Sequence, residues 1–316
     1  MTTAERILVR CEQAFCLLIL FFWLLERLLN GWWPVAILIC LPHLPAGLPL
    51  LLLTYVRLRV ARRRPFWLLV GWLLWLGGSG FCLNWQIHSK VPLRLASYNL
   101  EGCPHGEKET AETLRSLGAD LYALQEVSAW TARSPDFLQL KYLANDGEFL
   151  FLSRYPILKS SLVELQTERF SRPCQVVDVQ LPGGKLRVIN VHLSLLVHGP
   201  QWLAAHRGEL KSHVTQALSD RSGQIARLLP LLQGPCVVAG DFNSQPRDHC
   251  LKGLESRMRD SFREGGLGWG LSFESTLPAL RIDYIWHSPE LSCLNFETTG
   301  SLSSDHMPIL ADFRDL

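Results

Sequence analysis

Six sites in the C-terminal two thirds of the sequence carry polar side chains at the ends of short apolar runs. The residues that could do chemistry there are Asn99, Glu126, His192, Asp241 with Asn243, Asp283, and Asp305 with His306. Loops at strand ends are where a rigid scaffold presents catalytic side chains. Each residue taken singly is more often a turn former or a solvated side chain, so the joint pattern is what indicates a functional site.

The residue types in this set favour one kind of metal and disfavour several other chemistries. Oxygen ligands such as Glu126, Asp305 and Asn99 suit Mg²⁺ or Mn²⁺, which keep waters and a substrate phosphate in their remaining positions. The sequence has no H-x-x-x-H or H-x-H pair, which disfavours a catalytic zinc site. It also has no Gly-rich phosphate loop and no G-x-S-x-G elbow, so a nucleotide cofactor and acyl-serine chemistry are disfavoured.

At these residues the sequence resembles the endonuclease/exonuclease/phosphatase family. The motifs in order are Ser-Tyr-Asn99, Leu-Gln-Glu126, Leu-Ser153-Arg154-Tyr-Pro156, Asn190-Val-His192, Gly-Asp241-Phe-Asn243, Arg281-Ile-Asp283-Tyr-Ile and Ser-Asp305-His306. They extend over nearly all of residues 93–313, and this number of motifs in the right order is hard to obtain by chance. The resemblance implies a metal-dependent hydrolase of phosphoric ester bonds, folded as a four-layer sandwich of two mainly antiparallel β-sheets between helices.

The resemblance also implies a metal site and a residue that activates water. Asn99, Glu126 and Asp305 would hold Mg²⁺ or Mn²⁺, which acts as a Lewis acid on a phosphoryl oxygen. Asp241 would orient or deprotonate the attacking water. Asn243 would assist Asp241 and bind the substrate phosphate.

Two histidines are expected to work beside this water. His306, held by Asp283 through its other ring nitrogen, would contact the scissile phosphate, and either His306 or Asp241 could be the base. His192 would donate to the phosphate or to the leaving oxygen. Arg154 could be a further phosphate-binding residue or form a structural salt bridge, and Arg281 is expected to be structural.

The elements that must position these residues are predicted from short β-rich runs bounded by turn residues. Strands are expected at 93–98, 120–125, 149–153, 174–181, 185–192, 236–241, 282–286 and 308–312. Helices are expected at 108–117, ended by Gly118, and at 221–232, ended near Gly234 and Pro235. This mixture predicts an α+β sandwich of stacked sheets flanked by helices. Residues 195–220 are predicted to be a functional or mobile insertion, because they show no apolar period.

The N-terminal third has the composition of a membrane segment. Seven of the eleven tryptophans precede residue 90, and the acidic residues there are Glu5, Glu12 and Glu26. Three apolar segments, at about 14–33, 35–56 and 66–84, are each near the roughly 20 residues that cross a bilayer core. We therefore predict an anchor of about three transmembrane helices in residues 1–88, followed by a catalytic domain in residues 91–316.

The orientation of this anchor is predicted from its basic residues. The run from Arg57 to Arg64, together with Arg6 and Arg10, is expected on the cytoplasmic side. Three spans would then put the catalytic domain on the extracytoplasmic side. A hairpin in the proline-containing second segment would reverse this orientation, and a cleavable signal peptide is the alternative for the first segment.

The charge of the catalytic region bears on its substrate. Residues 91–316 contain 22 basic and 26 acidic residues, a net of −4, which weakens an interpretation as a nonspecific nucleic-acid binder. A nuclease-type phosphodiesterase is the first interpretation. The alternatives are a phospholipid, sphingomyelin or inositol-phosphate phosphoesterase and a non-catalytic membrane-anchored scaffold. The expected partners are the phosphodiester substrate and the lipid bilayer, with no obligate protein partner, and substrate choice is expected in loops 103–108, 195–220 and 262–280.

Overall fold

The computed structural model of the protein describes residues 2–42, 44–60, 65–84, 93–127, 140–167, 171–196, 205, 207–300 and 303–314. The chain divides into two compact units, residues 1–81 and residues 82–316. The predicted boundary between anchor and catalytic domain, at 88–91, lies outside the described residues. The assignment of anchoring to one part and catalysis to the other therefore stays a prediction.

The first unit consists of helices. Its described elements are α1 (Thr3–Leu29), α2 (Trp33–Ile39), a 3-10 turn at Leu44–Gly47, α3 (Leu48–Val60) and α4 (Phe66–Ser79). Helix α1 begins with a capping box, in which the Thr2 hydroxyl accepts from the Glu5 amide and the Glu5 carboxylate accepts from the Thr2 amide. Helix α4 ends where Gly80 adopts the left-handed conformation.

The prediction of three membrane spans is wrong in number. Among the described residues, α1 is the one helix that is long and apolar enough to cross a membrane, by length and composition. Its 27 residues extend about 40 Å, whereas the 14 residues of α4 extend about 21 Å. The predicted second span is broken between Cys40 and Gly47, because Pro42 and Pro45 cannot continue a helix. Of the basic run, residues 61–64 lie outside the described part of the chain.

The second unit is built on strands. They are β1 (Cys82–Leu83), β2 (Leu93–Asn99), β3 (Leu121–Gln125), β4 (Tyr142–Asp146), β5 (Phe149–Ser153), β6 (Ile157–Glu164), β7 (Pro173–Leu181), β8 (Gly184–His192), β9 (Cys236–Asp241), β10 (Arg259–Asp260), β11 (Leu267–Gly268), β12 (Asp283–His287), β13 (Cys293–Thr298) and β14 (Ile309–Phe313). Its described helices are α5 (Glu107–Leu117), α6 (Leu210–Leu228), α7 (Lys252–Glu255) and α8 (Ser261–Gly265), with 3-10 turns at Arg207–Glu209, Leu229–Leu231 and His249–Leu251.

Two six-stranded sheets form the centre of this unit. Sheet I has the order β13-β14-β2-β3-β5-β4, sheet II has the order β10-β12-β9-β8-β7-β6, and β1 pairs with β11 separately. Each sheet is mixed, since β2–β3 and β8–β9 are parallel and the other pairs are antiparallel. A parallel pair needs a long crossover, and α5 and α6 supply these two connections. The predicted α+β sandwich is therefore confirmed.

Apolar side chains hold the four layers together. The inner faces of both sheets share one core, which includes Leu95 and Phe151 from sheet I and Val188 from sheet II. Leu114 of α5 packs on the outer face of sheet I. Ile225 of α6 packs on the outer face of sheet II.

The strand directions bring the ends of six strands to one edge of the sandwich. Parallel strands β2 and β3 end at this edge, as do parallel strands β8 and β9. Strand β12 is antiparallel to β9 and begins there, because Asp283 pairs with Asp241. Strand β14 is antiparallel to β2 and also begins there, because Ile309 pairs with Ser97. The ends of β2 and β3 meet those of β8 and β9, since the side chains of Asn99 in sheet I and Asp241 in sheet II are hydrogen-bonded to each other.

One predicted loop is largely a helix. Helix α6 covers residues 210–228, so the prediction of an irregular insertion at 195–220 is wrong over 210–220. The predicted helix at 221–232 is correspondingly displaced. Val214, Ala217, Leu218 and Ile225 are buried at helical spacing, but fully buried Arg221 interrupts the apolar stripe. Residues 197–204 and 206 of the predicted insertion lie outside the described residues.

Candidate active site

Several acidic side chains lie around Asn99 at the end of the sandwich where β2, β3 and β9 end. Asn99, the last residue of β2, donates its Nδ2 to Glu126 Oε1 at 3.0 Å and to Asp241 Oδ2 at 3.2 Å. The Asn99 oxygen is turned away, since it accepts the Glu101 amide at 3.0 Å. Glu101 in turn accepts the Asp305 amide at 3.0 Å. The carboxylates of Glu101, Glu126 and Asp305 thus lie around the side chain of Asn99.

This cluster fits a divalent cation. Burial raises the pKa of Asp305 to about 6; the charge on His306 opposes this rise, and the charges on Glu101 and Glu126 add to it. Such repulsion between carboxylates is what a bound cation relieves. The side chains of Glu126 and Asp305 are 39% and 36% exposed, so both have a face open to an ion and its waters. Oxygen donors with open positions suit Mg²⁺ or Mn²⁺.

Asp241 lies at the centre of the site. Its carboxylate is buried, and Oδ2 lies 3.6 Å from Nε2 of His192 and 3.6 Å from Nε2 of His306. Oδ1 accepts the backbone amide of Asn243 at 2.8 Å. Burial raises the pKa of Asp241, and the charges on the two histidines oppose that rise. One carboxylate oxygen therefore faces both imidazoles.

His306 is oriented by Asp283. Its Nδ1 lies 3.1 and 3.0 Å from the two Asp283 oxygens, and its ring packs on Phe273 with centroids 4.9 Å apart. The Ser272 hydroxyl accepts the Asp283 amide at 3.1 Å, which fixes the start of β12. Burial disfavours the charged ring, but the carboxylates of Asp283 and Asp241 raise the pKa of His306 to about 10. This histidine is therefore held as a cation that faces Asp241.

His192 is oriented by a carboxylate of its own, which the sequence did not indicate. Glu148, in the turn between β4 and β5, has Oε1 2.5 Å from His192 Nδ1. Arg172 lies beside both, with Nη1 3.1 Å from Nδ1 of His192 and 3.5 Å from Oε1 of Glu148. Burial opposes the change, but the hydrogen bond with His192 and the charges of His192 and Arg172 lower the pKa of Glu148. The Nε2 atom of His192 is thereby directed at Asp241 and Glu126, each at 3.6 Å.

A second group of residues could also offer ligand atoms to a metal. One atom each from Asp241, Asp283 and His306 lie within 4.8 Å of one another. In this group Asp283 already faces Nδ1 of His306, and the remaining Nε2 faces Asp241. The carboxylates beside Asn99 are more exposed and offer oxygen donors alone, which are the ligands that Mg²⁺ and Mn²⁺ prefer.

Arg154 does not join the site. It follows β5, which is antiparallel to β3, so that Ser153 pairs with Leu121 at the opposite end of β3 from Glu126. Its guanidinium instead lies 2.6 Å from Asp120. The structural salt bridge is therefore the interpretation that holds, and the predicted role in phosphate binding is dropped.

Arg281 has the structural role that was predicted for it, whereas Glu101 was not predicted to lie in the site. Arg281 is buried, with Nη2 2.5 Å from Asp260 Oδ1, in agreement with its predicted structural role. Glu101, two residues after Asn99, was missed because a single Glu in a turn has no distinctive sequence pattern. The one feature of the sequence that could have indicated Glu101 is that it lies two residues after the predicted metal ligand Asn99. The structure brings together every other predicted site residue, while their individual roles stay predictions.

The chain has counterparts among known proteins. The sequence profile of the Endonuclease/Exonuclease/phosphatase family matches residues 96–306. A solved endonuclease/exonuclease/phosphatase from Beutenbergia cavernae is similar, with 20% identity, a TM-score of 0.52, and coverage of 70% of this chain and 71% of that one. The mannosyl-6-phosphatase Bt3783 of Bacteroides thetaiotaomicron aligns at 15% identity and TM-score 0.53, over 71% of this chain and 100% of that one. A humanized D. rerio TDP2 aligns at 18% identity and TM-score 0.50, over 71% and 99%. No curated protein matches the chain.

The fold and the site together define a hydrolase of phosphoric ester bonds. The chain belongs to the endonuclease/exonuclease/phosphatase family, because the profile of that family matches more than half of its length. The solved structures, at 15–20% identity, share the fold with this chain. Their substrates do not transfer to it on that basis.

Proposed function

We propose that the protein is a membrane-anchored phosphodiesterase that depends on Mg²⁺ or Mn²⁺. One observation carries this proposal: Asp241 Oδ2 lies within 3.6 Å of both catalytic imidazoles and 3.2 Å from Asn99, which is bonded to Glu126. A base, two histidines and a cluster of metal-binding oxygens thus surround one point. A non-catalytic scaffold would have no need of this convergence.

We infer one step for each residue, and the distances within the site support these steps. Asp241 accepts a proton from water as the water oxygen forms its bond to phosphorus. The His306 cation, held by Asp283, faces the negative charge on the phosphoryl oxygens. As the bond from phosphorus to the leaving oxygen breaks, His192, held by Glu148, supplies a proton to that oxygen. A Mg²⁺ or Mn²⁺ ion held by the carboxylates of Glu126 and Asp305 would neutralise charge on the phosphate. The predicted ligand Asn99 turns its amide nitrogen to this site, so Asn99 would orient Glu126 and Asp241 rather than bind the ion.

Nucleic acid is the first substrate class that we propose, since the family is named for nucleases and phosphatases. A phospholipid or sphingolipid head group is the second. The net charge of −4 in residues 91–316 favours the second class over a long polyanion. The apolar surface of the N-terminal unit also favours a lipid head group as the substrate.

That unit exposes many apolar side chains and buries several polar ones. Of the 26 large hydrophobic residues that are exposed in the described part of the chain, 19 lie before residue 82. The buried residues of the same unit include Glu12, Glu26, Asn30 and Arg57. Only 17% of the apolar window of α1 is buried in the protein, which argues against a core helix of a soluble protein. An exposed apolar surface of this kind supports an integral membrane protein.

Anchoring predicts that the full chain resists extraction from membranes at alkaline pH. Apolar contact with lipid tails survives this treatment, whereas peripheral attachment does not. Membranes washed with carbonate should retain the protein, and release into the supernatant would contradict an anchor. A tag after Leu316 that is cleaved by protease outside intact cells would support the extracytoplasmic side, and protection would reverse the orientation.

The proposed function is tested with the full chain in detergent and in vesicles. The panel contains DNA, RNA, sphingomyelin, phosphoinositides and bis(p-nitrophenyl) phosphate, each with Mg²⁺, with Mn²⁺ and with EDTA. Hydrolysis that EDTA abolishes and either ion restores would support the proposal and select the substrate class. If the folded protein binds metal but hydrolyses no substrate of the panel, the non-catalytic scaffold would be favoured.

Glu126→Gln should weaken metal binding and leave the fold intact. Removing one carboxylate charge from the cluster should raise the Mg²⁺ concentration for half-maximal activity by at least about 10-fold. Glu112→Gln is the matched control, because Glu112 is exposed on α5 and pairs weakly with Lys108 at 3.9 Å. An unchanged metal requirement in Glu126→Gln would contradict the assignment of this site.

A further inference from the structure

Two of the polar side chains that helix α6 buries are bonded to the loops after β8 and β9, without contacting the metal cluster or the histidines. Arg221 and Gln224 are both fully buried. They are three residues apart, so they lie on the same face of the helix. On that face both side chains contact the loops that begin directly after His192, the last residue of β8, and Asp241, the last residue of β9.

Arg221 holds the loop after β9. Its Nη1 donates to the backbone oxygen of Asn243 at 2.7 Å and to the Ser244 hydroxyl at 2.8 Å. Its Nη2 donates to Asp248 Oδ2 at 2.5 Å. The guanidinium thus bridges both ends of the segment from Asn243 to Asp248. Asn243 is the residue whose amide binds Asp241 Oδ1.

Gln224 holds the loop after β8 in the same way. Its Oε1 accepts the Ser194 amide at 3.1 Å, and its Nε2 donates to the Ser194 hydroxyl at 2.8 Å. Ser194 is two residues beyond His192. Asn243 Nδ2 also donates to Leu193 O at 2.9 Å, so the two loops are tied to each other and to α6.

Stability alone is a weak reason for this arrangement. A buried ion pair such as Arg221 with Asp248 often contributes no more than a packed apolar pair of the same volume. Asn243 has φ of 48°, a left-handed conformation that persists only where surrounding contacts hold it. The bond from Arg221 to Asn243 O is such a contact.

We propose that α6 is a positioning clamp, in which Arg221 sets the loop of Asp241 and Asn243, and Gln224 sets the loop that follows His192. Neither residue touches substrate. Both act through backbone groups of the two catalytic loops. This inference rests on the proposed phosphodiesterase function.

Arg221→Lys in the full chain tests the clamp with bis(p-nitrophenyl) phosphate as the probe. Lysine keeps the charge for Asp248 but cannot also reach Asn243 and Ser244 in the forked geometry. A displacement of catalytic groups by about 1 Å costs about 10²-fold in rate, so kcat should fall by about that factor with KM changed less than about threefold. Gln224→Met, which removes both bonds to Ser194, should lower kcat in the same direction.

Arg94→Lys is the matched control. Arg94 makes an equally forked pair with Asp312, at 2.7 and 2.8 Å, at the opposite end of β2 from Asn99. Its kcat should stay within about threefold of the wild type, because no catalytic loop depends on it. Equal losses in Arg94→Lys and Arg221→Lys would overturn the clamp and leave a general structural effect.

Hydrogen exchange separates the clamp from the enzyme assignment. In Arg221→Lys the amides of residues 242–250 should exchange faster, with those of β8 and β9 unchanged. If the wild type hydrolyses neither this probe nor any other substrate of the panel, the proposed function fails while the exchange result still tests the clamp. Unchanged exchange in residues 242–250 together with unchanged kcat in both α6 variants would overturn it.

Discussion

Asp241→Asn is expected to lower kcat by about 10³-fold, within the range of about 10²–10⁴ that a general base contributes. The asparagine has the same size and can still accept the Asn243 amide at Oδ1, but it cannot take a proton from water. Its amide group would also meet the Asn99 and Asn243 donors that now face Oδ2 at 3.2 and 3.3 Å. Single-turnover hydrolysis of bis(p-nitrophenyl) phosphate measures the loss, and circular dichroism shows whether the variant is folded.

Asp178→Asn is the control for this substitution. Asp178 is also a buried carboxylate of sheet II, but it pairs with Arg187 and Lys185 at 2.9 and 2.7 Å, away from the site. This variant should lose stability and keep its kcat. If Asp241→Asn retained more than about a tenth of the wild-type rate, Asp241 could not be the base, and His306 would be the next candidate.

Most of the site could be predicted because its residues lie at strand ends. Asn99, His192 and Asp241 are the last residues of their strands, Glu126 directly follows β3, and the apolar run of each strand is evident in the sequence. Two parallel pairs then bring these four ends to one edge. The resemblance to a family supplied the order of the motifs, which local patterns alone do not give.

Arg154 shows where strand-end reasoning fails. It follows β5 in the same manner as Glu126 follows β3, yet the two strands are antiparallel. The two residues therefore lie at opposite edges of sheet I. Strand direction is a property of the sheet, and the sequence around Arg154 does not specify it.

Glu148 and Arg172 could not be predicted for a related reason. Glu148 lies in a two-residue turn between β4 and β5, and β4 is an edge strand whose partly exposed pattern was not recognised. Its contact with His192 joins sheet I to sheet II across 44 residues of sequence. Such a pair depends on how the two sheets stack, which no local pattern encodes.

The N-terminal third was predicted from composition, and composition does not determine helix ends. Apolar residues continue through 35–56, but the prolines at 42 and 45 divide that stretch into α2 and α3. The count of spans was wrong for this reason and because α4, in the predicted third span, has only 14 residues. The apolar outer surface of the unit is what composition did indicate.

Gly240→Ala is expected to disrupt both the fold at this edge and the activity. Gly240 has φ of 146°, and a Cβ there would lie 1.9 Å from the backbone oxygen of Val191, its partner on parallel strand β8. Backbone cannot yield as a flexible side chain does, so β8 and β9 must separate where they deliver His192 and Asp241. Such overpacking should lower the free energy of unfolding by about 3 kcal/mol.

The same separation should lower kcat by about 10²-fold, because His192 and Asp241 would no longer converge on one point. Thermal unfolding in detergent and steady-state hydrolysis measure the two effects on one preparation. Gly223→Ala is the control, since a Cβ there meets only Thr167 Cγ2 at 3.4 Å inside α6, where alanine is the better helix former. A Gly240→Ala protein with wild-type stability and rate would mean that β8 and β9 can separate without moving Asp241, and the rigid convergence on which the proposed mechanism depends would be lost.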